Sequence, residues 1–388
     1  MKKDTLLVHS GRHPEDNFGI VNPPVYHAST VTFPTMAKYE AKPSSPFEGV
    51  QYGRTGTPTT CALEEAVTAL YGGHKTVATS SGAAAVAIAM TAFLKCGDHA
   101  LVIDNAYGPT RTRVSDGLLA RAGVEVTYFD PAQPIAGLLK PETKVVFIES
   151  PGSLTFEMID VAAIAAEAHA AGALVLMDNT WATAWLFRPF EHGVDIVIEA
   201  ATKYIGGHAD VMLGLITVQT PAHHLAVKGT ANAMGNCPGP DDCYLGLRGL
   251  RTLSVRLDRH QENALKVAGW LRDRAEVDRV LYPALPGDPG HDLWKRDFSG
   301  ASGLFGVILK ACSKDAVAAM LDHMELFAMG ASWGGYESLM IPTEPGKIRT
   351  ASRWPPGGPC LRLHIGLEDP DDLIADLEKG LARLTTAV

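Results

Sequence analysis

Lys203, in the run Ile198-Glu199-Ala200-Ala201-Thr202-Lys203-Tyr204, and Asp178, which closes the apolar run Ala173-Leu174-Val175-Leu176-Met177, are the residues whose types and settings could do chemistry together. A lysine that follows a buried strand and is set among small residues loses hydration, so its amine is neutralised more readily and becomes nucleophilic. Such an amine can hold an aldehyde as a Schiff base. A carboxylate at a second strand end can keep a ring nitrogen protonated, and the pair meets the two demands of pyridoxal phosphate, whose ring accepts carbanion electrons. Taken singly, a strand-end lysine is most often a solvated charge and a strand-end aspartate a turn or capping residue. Open α/β sheets bind ligands at the carboxyl ends of their strands, which favours the functional alternative for both. Asn179 and Thr180 read as turn formers that fix the direction of the Asp178 carboxylate.

The elements that must position these residues follow a regular rhythm. Short β-branched runs alternate with alanine-rich segments: a strand over 76–79, a helix over 83–94, a strand over 101–104, a helix over 110–122 and a strand over 124–129. A continuous apolar run at 144–149 has the pattern of a strand buried on both faces. A helix over 161–171 has Asp160 as its cap and Gly172 just past its end. Strands over 174–177, 195–199 and 211–218 complete a predicted seven-stranded, mostly parallel α/β sheet. Ser81-Gly82-Ala83 falls between a strand and a helix, where backbone N–H groups can cradle a phosphate.

The first fifty or so residues, with Asn22-Pro23-Pro24 and Lys42-Pro43-Ser44-Ser45-Pro46, show no sustained period and read as an extended arm. Around 245–257 the chain turns charged and amphipathic, which marks the entry to a second domain with strands near 280–282 and 304–309 and helices over 314–322 and 371–387. The expected division is an arm over 1–56, a cofactor-binding α/β domain over 57–246 and a smaller α/β domain over 247–388.

The chain of 388 residues, 46% of them hydrophobic, is long enough for two or three domains. Its net charge of −9 is spread without a basic block, so neither nucleic acid nor an anionic membrane is expected as a partner. Six scattered cysteines without a Cys-x-x-Cys pair, behind an N-terminus without a long apolar core, point to reduced thiols and a cytoplasmic protein. None of the fourteen histidines stands among cysteines or carboxylates at metal-ligand spacing, so no metal is expected. No nucleotide-binding glycine loop occurs.

Several motifs in fixed order carry a family resemblance: Ser81-Gly82-Ala83-Ala84-Ala85, Asp178-Asn179-Thr180-Trp181, Ala201-Thr202-Lys203-Tyr204, Ser332-Trp333-Gly334-Gly335-Tyr336-Glu337-Ser338-Leu339 and Leu361-Arg362-Leu363-His364-Ile365-Gly366-Leu367-Glu368. Over nearly the whole chain the sequence resembles the Cys/Met-metabolism family of fold-type I pyridoxal-phosphate enzymes, and within it the bacterial cystathionine β-lyase branch. The resemblance implies that Lys203 anchors the cofactor, Asp178 pairs with its ring nitrogen and Tyr107 stacks on the ring and serves catalysis. It implies that the amides of Gly82 and Ala83 and the side chain of Thr202 bind the phosphate, with Tyr52 and Arg54 reaching the neighbouring subunit's site. Arg362 would clamp the substrate's α-carboxylate, and Ser332 and Trp333 would line the substrate side.

The implied activity is β-elimination from L-cystathionine in methionine biosynthesis, by a homo-oligomer of dimers with shared sites, taken here as a tetramer. The rivals are a broader carbon–sulfur lyase, a γ-acting relative, and a cofactor-binding regulator. The segment Glu149-Ser150-Pro151-Gly152-Ser153-Leu154-Thr155-Phe156-Glu157 has the β-lyase form. Two positions depart from the family pattern. Ala200 stands where many members carry a phosphate-binding serine, and Gly229-Thr230-Ala231-Asn232-Ala233-Met234-Gly235 lacks an aromatic found in some β-lyases.

Overall fold

The apolar runs assemble as their periodicity dictates. The computed structural model describes residues 1–41, 47–355 and 357–386. Seven strands, β1 (Lys75–Thr79), β2 (His99–Ile103), β3 (Glu125–Phe129), β4 (Thr143–Glu149), β5 (Leu174–Asp178), β6 (Ile196–Glu199) and β7 (Gly214–Val218), pair in the order β1-β7-β6-β5-β4-β2-β3. Neighbours from β3 through β6 run parallel, and β7 is antiparallel to both β6 and β1. β2 and β7 are buried along their whole length, as their unbroken hydrophobic character requires. β7 is shorter than the expected 211–218 because the Thr202 hydroxyl takes both the N–H (2.9 Å) and the carbonyl (3.1 Å) of Leu213.

Helices α1 (Lys3–His9), α2 (Pro58–Tyr71), α3 (Gly82–Thr91), α4 (Val161–Ala170), α5 (Pro221–Ala233), α6 (Pro240–Leu250) and α7 (Leu253–Arg272) follow in chain order. The Asp160 side chain caps α4 as expected, accepting from the Ala163 N–H at 3.0 Å. α3 ends at Thr91, earlier than the expected 94, and the segment expected as a helix over 110–122 winds as a wider π-type helix over Thr110–Leu119. The arm is not wholly extended. It opens with α1, whose Leu7 is buried and whose Leu7 carbonyl accepts from Arg251 at 2.5 Å. Beyond α1 the arm exposes Phe18, Ile20, Val21 and Tyr39, with Phe18 at 100%; Lys42 to Pro46 lie outside the described residues. None of the six cysteines is in a disulfide.

A second sheet, fully antiparallel, contains β8 (Val277–Leu281), β9 (Leu304–Leu309), β10 (Leu339–Thr343) and β11 (Cys360–His364) in the order β10-β11-β9-β8. Pro342 sits in β10, an edge strand, where a missing N–H costs least. Helices α8 (Lys314–Leu321) and α9 (Pro370–Thr386) pack together beside it. The expected boundary at 246/247 falls inside α6. α6 cannot be a loose linker, because a Cβ on Gly249 would come within 2.2 Å of the Ile205 carbonyl. Two ties bind the halves. The buried Arg256 guanidinium donates to the carbonyls of Tyr204 (2.7 Å) and Gly249 (2.8 Å). A strap at residues 349–352 returns to the first sheet: Asp104 accepts from the N–H groups of Thr350, Ala351 and Ser352 at 3.0, 3.1 and 2.7 Å, and Arg349 forks onto Glu157 at 2.8 and 2.6 Å.

Arg256→Ala leaves the Tyr204 and Gly249 carbonyls without those donors in a dry setting. It is expected to destabilise the protein by roughly 3 kcal/mol, read as a lower urea midpoint at unchanged slope. An unchanged midpoint would show that these bonds carry no net stability.

Candidate active site

β4, β5 and β6 end side by side in Glu149, Asp178 and Glu199, with Glu149 and Asp178 in register. Beyond these ends lies a cavity of about 390 Å³, as expected for the carboxyl edge of an open sheet. Of the residues singled out in the sequence, it brings together Gly82, Ala83, Tyr107, Asp178, Thr202, Lys203, Trp333 and Arg362. Ser332 joins them through its hydroxyl, which accepts from Lys203 Nζ at 2.6 Å. Trp333 lies beneath the same amine, 5.1 Å from ring centre to Nζ. Tyr52 and Arg54 do not line this cavity: both are exposed on the arm, and Arg54 donates to the Asn232 carbonyl at 3.0 Å.

The charges in the cavity are poised by desolvation. Loss of water lowers the Lys203 amine to about 8, helped by the like charge of Arg362 and opposed by Asp178. Arg362 is buried on β11, its guanidinium lowered to about 10 by burial. Among the described residues no carboxylate answers it: Nη1 and Nη2 donate to the carbonyls of Gly330, Ala331 and Ser332, and Nε is buried without a partner. Asp178 accepts the hydroxyl (2.5 Å) and N–H (3.0 Å) of Thr180; enclosure raises its pKa and these donors oppose the rise. Thr180 thus does what a turn former at that position should.

Two flanking acids went unassigned in the sequence. Glu149 accepts the Tyr107 N–H at 2.7 Å, and burial together with Asp178 pushes its carboxyl well above the ordinary range. Glu199 accepts the Tyr71 hydroxyl at 2.7 Å and is pushed up to about 8, chiefly by burial. Burial and the charge of Asp178 push the outer two toward the neutral form, which leaves Asp178, with its two Thr180 donors, as the acid best able to carry the negative charge. Their signal was present: each closes an apolar strand run, as Asp178 does. Among the described residues, His13, Glu15 and Asp16 also bring ligand atoms within 4.8 Å of one another, but they are exposed on the arm, far from this chemistry.

The model of the Cys/Met metabolism PLP-dependent enzyme family matches residues 4–382. A Rhizobium johnstonii relative is 49% identical over 98% of this chain and 96% of its own length. Cystathionine beta-lyase MetC of Escherichia coli is 43% identical over 99% of both chains. The crystal structure of cystathionine gamma synthase from Xanthomonas oryzae pv. oryzae, in complex with aminoacrylate and cysteine, superposes with a TM-score of 0.91 at 33% identity over 100% of each chain.

The residues present fit pyridoxal phosphate. The side chain of Ser81 caps α3 by accepting from the Ala84 N–H at 3.1 Å, so the first-turn N–H groups at Gly82 and Ala83 remain to face an anion. Gly82 is required there, since a Cβ would lie 2.6 Å from the Ala200 Cβ. A partly neutral amine, a carboxylate and an anion cradle share one cavity. Thr202 fits less well than its position suggests. Its hydroxyl proton is directed to the Leu213 carbonyl, so it has none to offer a phosphate unless that bond breaks.

In the cofactor-free protein, acylation of Lys203 by an amine-directed reagent should titrate near pH 8 rather than at the ordinary 10.5. In Arg362→Ala the midpoint should move upward, because removing a like charge favours the ammonium form. Peptide mapping across a pH series checks both, and a wild-type midpoint near 10.5 would contradict the desolvated setting.

Proposed function

This chain belongs to the Cys/Met metabolism PLP-dependent enzyme family and is a carbon–sulfur lyase, and we propose that it cleaves L-cystathionine at Cβ to homocysteine, pyruvate and ammonia in cytoplasmic methionine biosynthesis. The observation that carries the proposal is the juxtaposition of the Lys203 amine, the unanswered Arg362 guanidinium and Asp178 in one cavity. The β-lyase form of residues 149–157, whose Ser153, Leu154 and Phe156 wall the cavity, favours β over γ chemistry.

Bound pyridoxal phosphate supplies the sink for the electrons left at Cα when its proton departs. Lys203 would hold that cofactor in the resting enzyme, and its Nζ, when free, would take the Cα proton; an amine with a pKa near 8 is a competent base at neutral pH. Arg362 fixes the α-carboxylate through a bidentate contact, which sets the Cα–H bond in the direction that favours its cleavage. Asp178, its carboxylate held by Thr180, would keep the ring nitrogen of that cofactor protonated. Tyr107, half exposed and lining the same cavity, would cover the bound cofactor. As the Cβ–S bond breaks, the sulfur leaves with the bonding pair and takes up a proton as homocysteine; water then releases pyruvate and ammonia. Incubation with L-cystathionine should therefore yield pyruvate. If 2-oxobutyrate accumulates instead, the enzyme cleaves at Cγ and the assignment fails.

We also propose that Tyr52 and Arg54 serve the phosphate of a neighbouring subunit, in dimers that associate as tetramers. Both residues stand off their own chain's cavity, on an arm whose exposed Phe18, Ile20 and Val21 need covering. Lys203→Ala and Arg54→Ala should each impair activity. Unfolded and refolded together, they should recover activity, because half the sites of mixed dimers carry neither lesion. Activity no higher than the parental average would assign Arg54 to its own chain.

A further inference from the structure

The cavity holds one cation that neither the proposed chemistry nor any neighbour employs. Arg113 lines it from the π-type helix Thr110–Leu119 and is exposed, as are Met212 and Tyr107 of the same lining, which places it at the mouth. The arginines near it in sequence are committed. Arg111 pairs with Asp104 at 2.6 Å and lies 3.6 Å over the Tyr128 ring, and Arg121 donates to the Gly117 carbonyl. Asp116, one helical turn away, already accepts the Tyr128 hydroxyl at 2.6 Å. The acids of the cavity are taken too, Glu149 by the Tyr107 N–H and Asp178 by Thr180. Among the described residues Arg113 has no hydrogen bond or ion pair.

An exposed guanidinium on the wall of a mostly apolar cavity, whose lining also includes Val86, Val114, Leu154 and Phe156, is placed to meet the far end of a ligand whose reacting end lies at Lys203. We infer that Arg113 binds a carboxylate at the distal end of the amino-acid substrate, so that the enzyme selects thioethers whose leaving group carries a carboxylate of its own. This rests on the proposed lyase activity only for the substrate's reacting end. L-Cystathionine carries such a distal carboxylate; a simple S-alkyl cysteine does not. Arg362 and Arg113 would then grip the two carboxylates of one substrate, and the spacing between them would set the length of thioether accepted.

The test uses the holoenzyme and two ligands of equal chain length with no leaving group on Cβ, so that binding is read without turnover. L-2-Aminopimelate ends in a carboxylate and L-2-aminoheptanoate in a methyl group. Titration followed by the absorbance of the bound cofactor should show wild type preferring the dicarboxylate by roughly tenfold. Arg113→Gln should abolish that preference while leaving the affinity for L-2-aminoheptanoate unchanged, and Arg113→Lys should retain part of it. The inference is overturned if wild type shows no preference or if Arg113→Gln keeps it. Equal weakening of both ligands would also overturn it. So would loss of bound cofactor in Arg113→Gln, which would make the phosphate the true ligand, or a fall in native mass, which would make it a partner subunit. Pyruvate release from L-cystathionine is measured separately, so failure of the lyase assignment is told apart from failure of this one.

Discussion

Two cations, Lys203 and Arg362, share a water-poor cavity with a single carboxylate able to hold charge, Asp178. That imbalance is the constraint from which the rest follows. Neighbouring buried acids would remove it if they ionised, and they do not, because Asp178 and their own burial hold Glu149 and Glu199 in the neutral form. The same imbalance lowers the lysine amine toward neutrality and leaves the arginine to be satisfied by an anion from outside. A site in this condition has been made ready for a doubly anionic cofactor and a carboxylate substrate before either arrives.

The arrangement survives only because both halves of the molecule are tied to it. Lys203 comes from the loop after β6, whereas Arg362 and Ser332 come from the region of the second sheet. Arg256 binds the backbone immediately after Lys203 to α7, and Asp104 and Arg349 fasten the 349–352 strap behind the wall formed by residues 153–156. These are buried charged groups with several partners each, costly to assemble but more costly to break singly. The lysine's resting partner, the Ser332 hydroxyl, therefore reaches it from across the junction between the two sheets.

How much of this was legible depends on whether the signal was local. The parallel sheet, Asp160 as a cap and the Asp178–Lys203 pair are written in runs of a few residues, where periodicity and strand ends suffice. α2 carries helix start and stop signals in Thr57, Pro58 and Gly72 that the strand–helix rhythm from residue 75 onward does not include, β7 starts three residues later than its apolar run because Leu213 is held by Thr202, and α3 closes locally at Thr91 short of the expected 94. The Thr202 hydroxyl, expected to bind phosphate, is occupied by Leu213, eleven residues on and across a turn that no local pattern reveals. Glu149 and Glu199 show in the sequence only as the ends of apolar strand runs and Arg113 not at all, because an acid or an arginine acquires meaning only from which charges surround it and which of its partners are missing.

The exposed position of Arg113 bears on how a substrate finds the site. The molecule as a whole carries a net charge of −9, which at long range disfavours anions. At physiological salt, however, electrostatic influence fades over about 8 Å. A diffusing amino acid is therefore nearly indifferent to the global charge until it reaches the mouth, where the nearest field is that of one guanidinium. Encounter should then be unsteered and insensitive to ionic strength, with discrimination exercised by residence at the rim rather than by the rate of arrival.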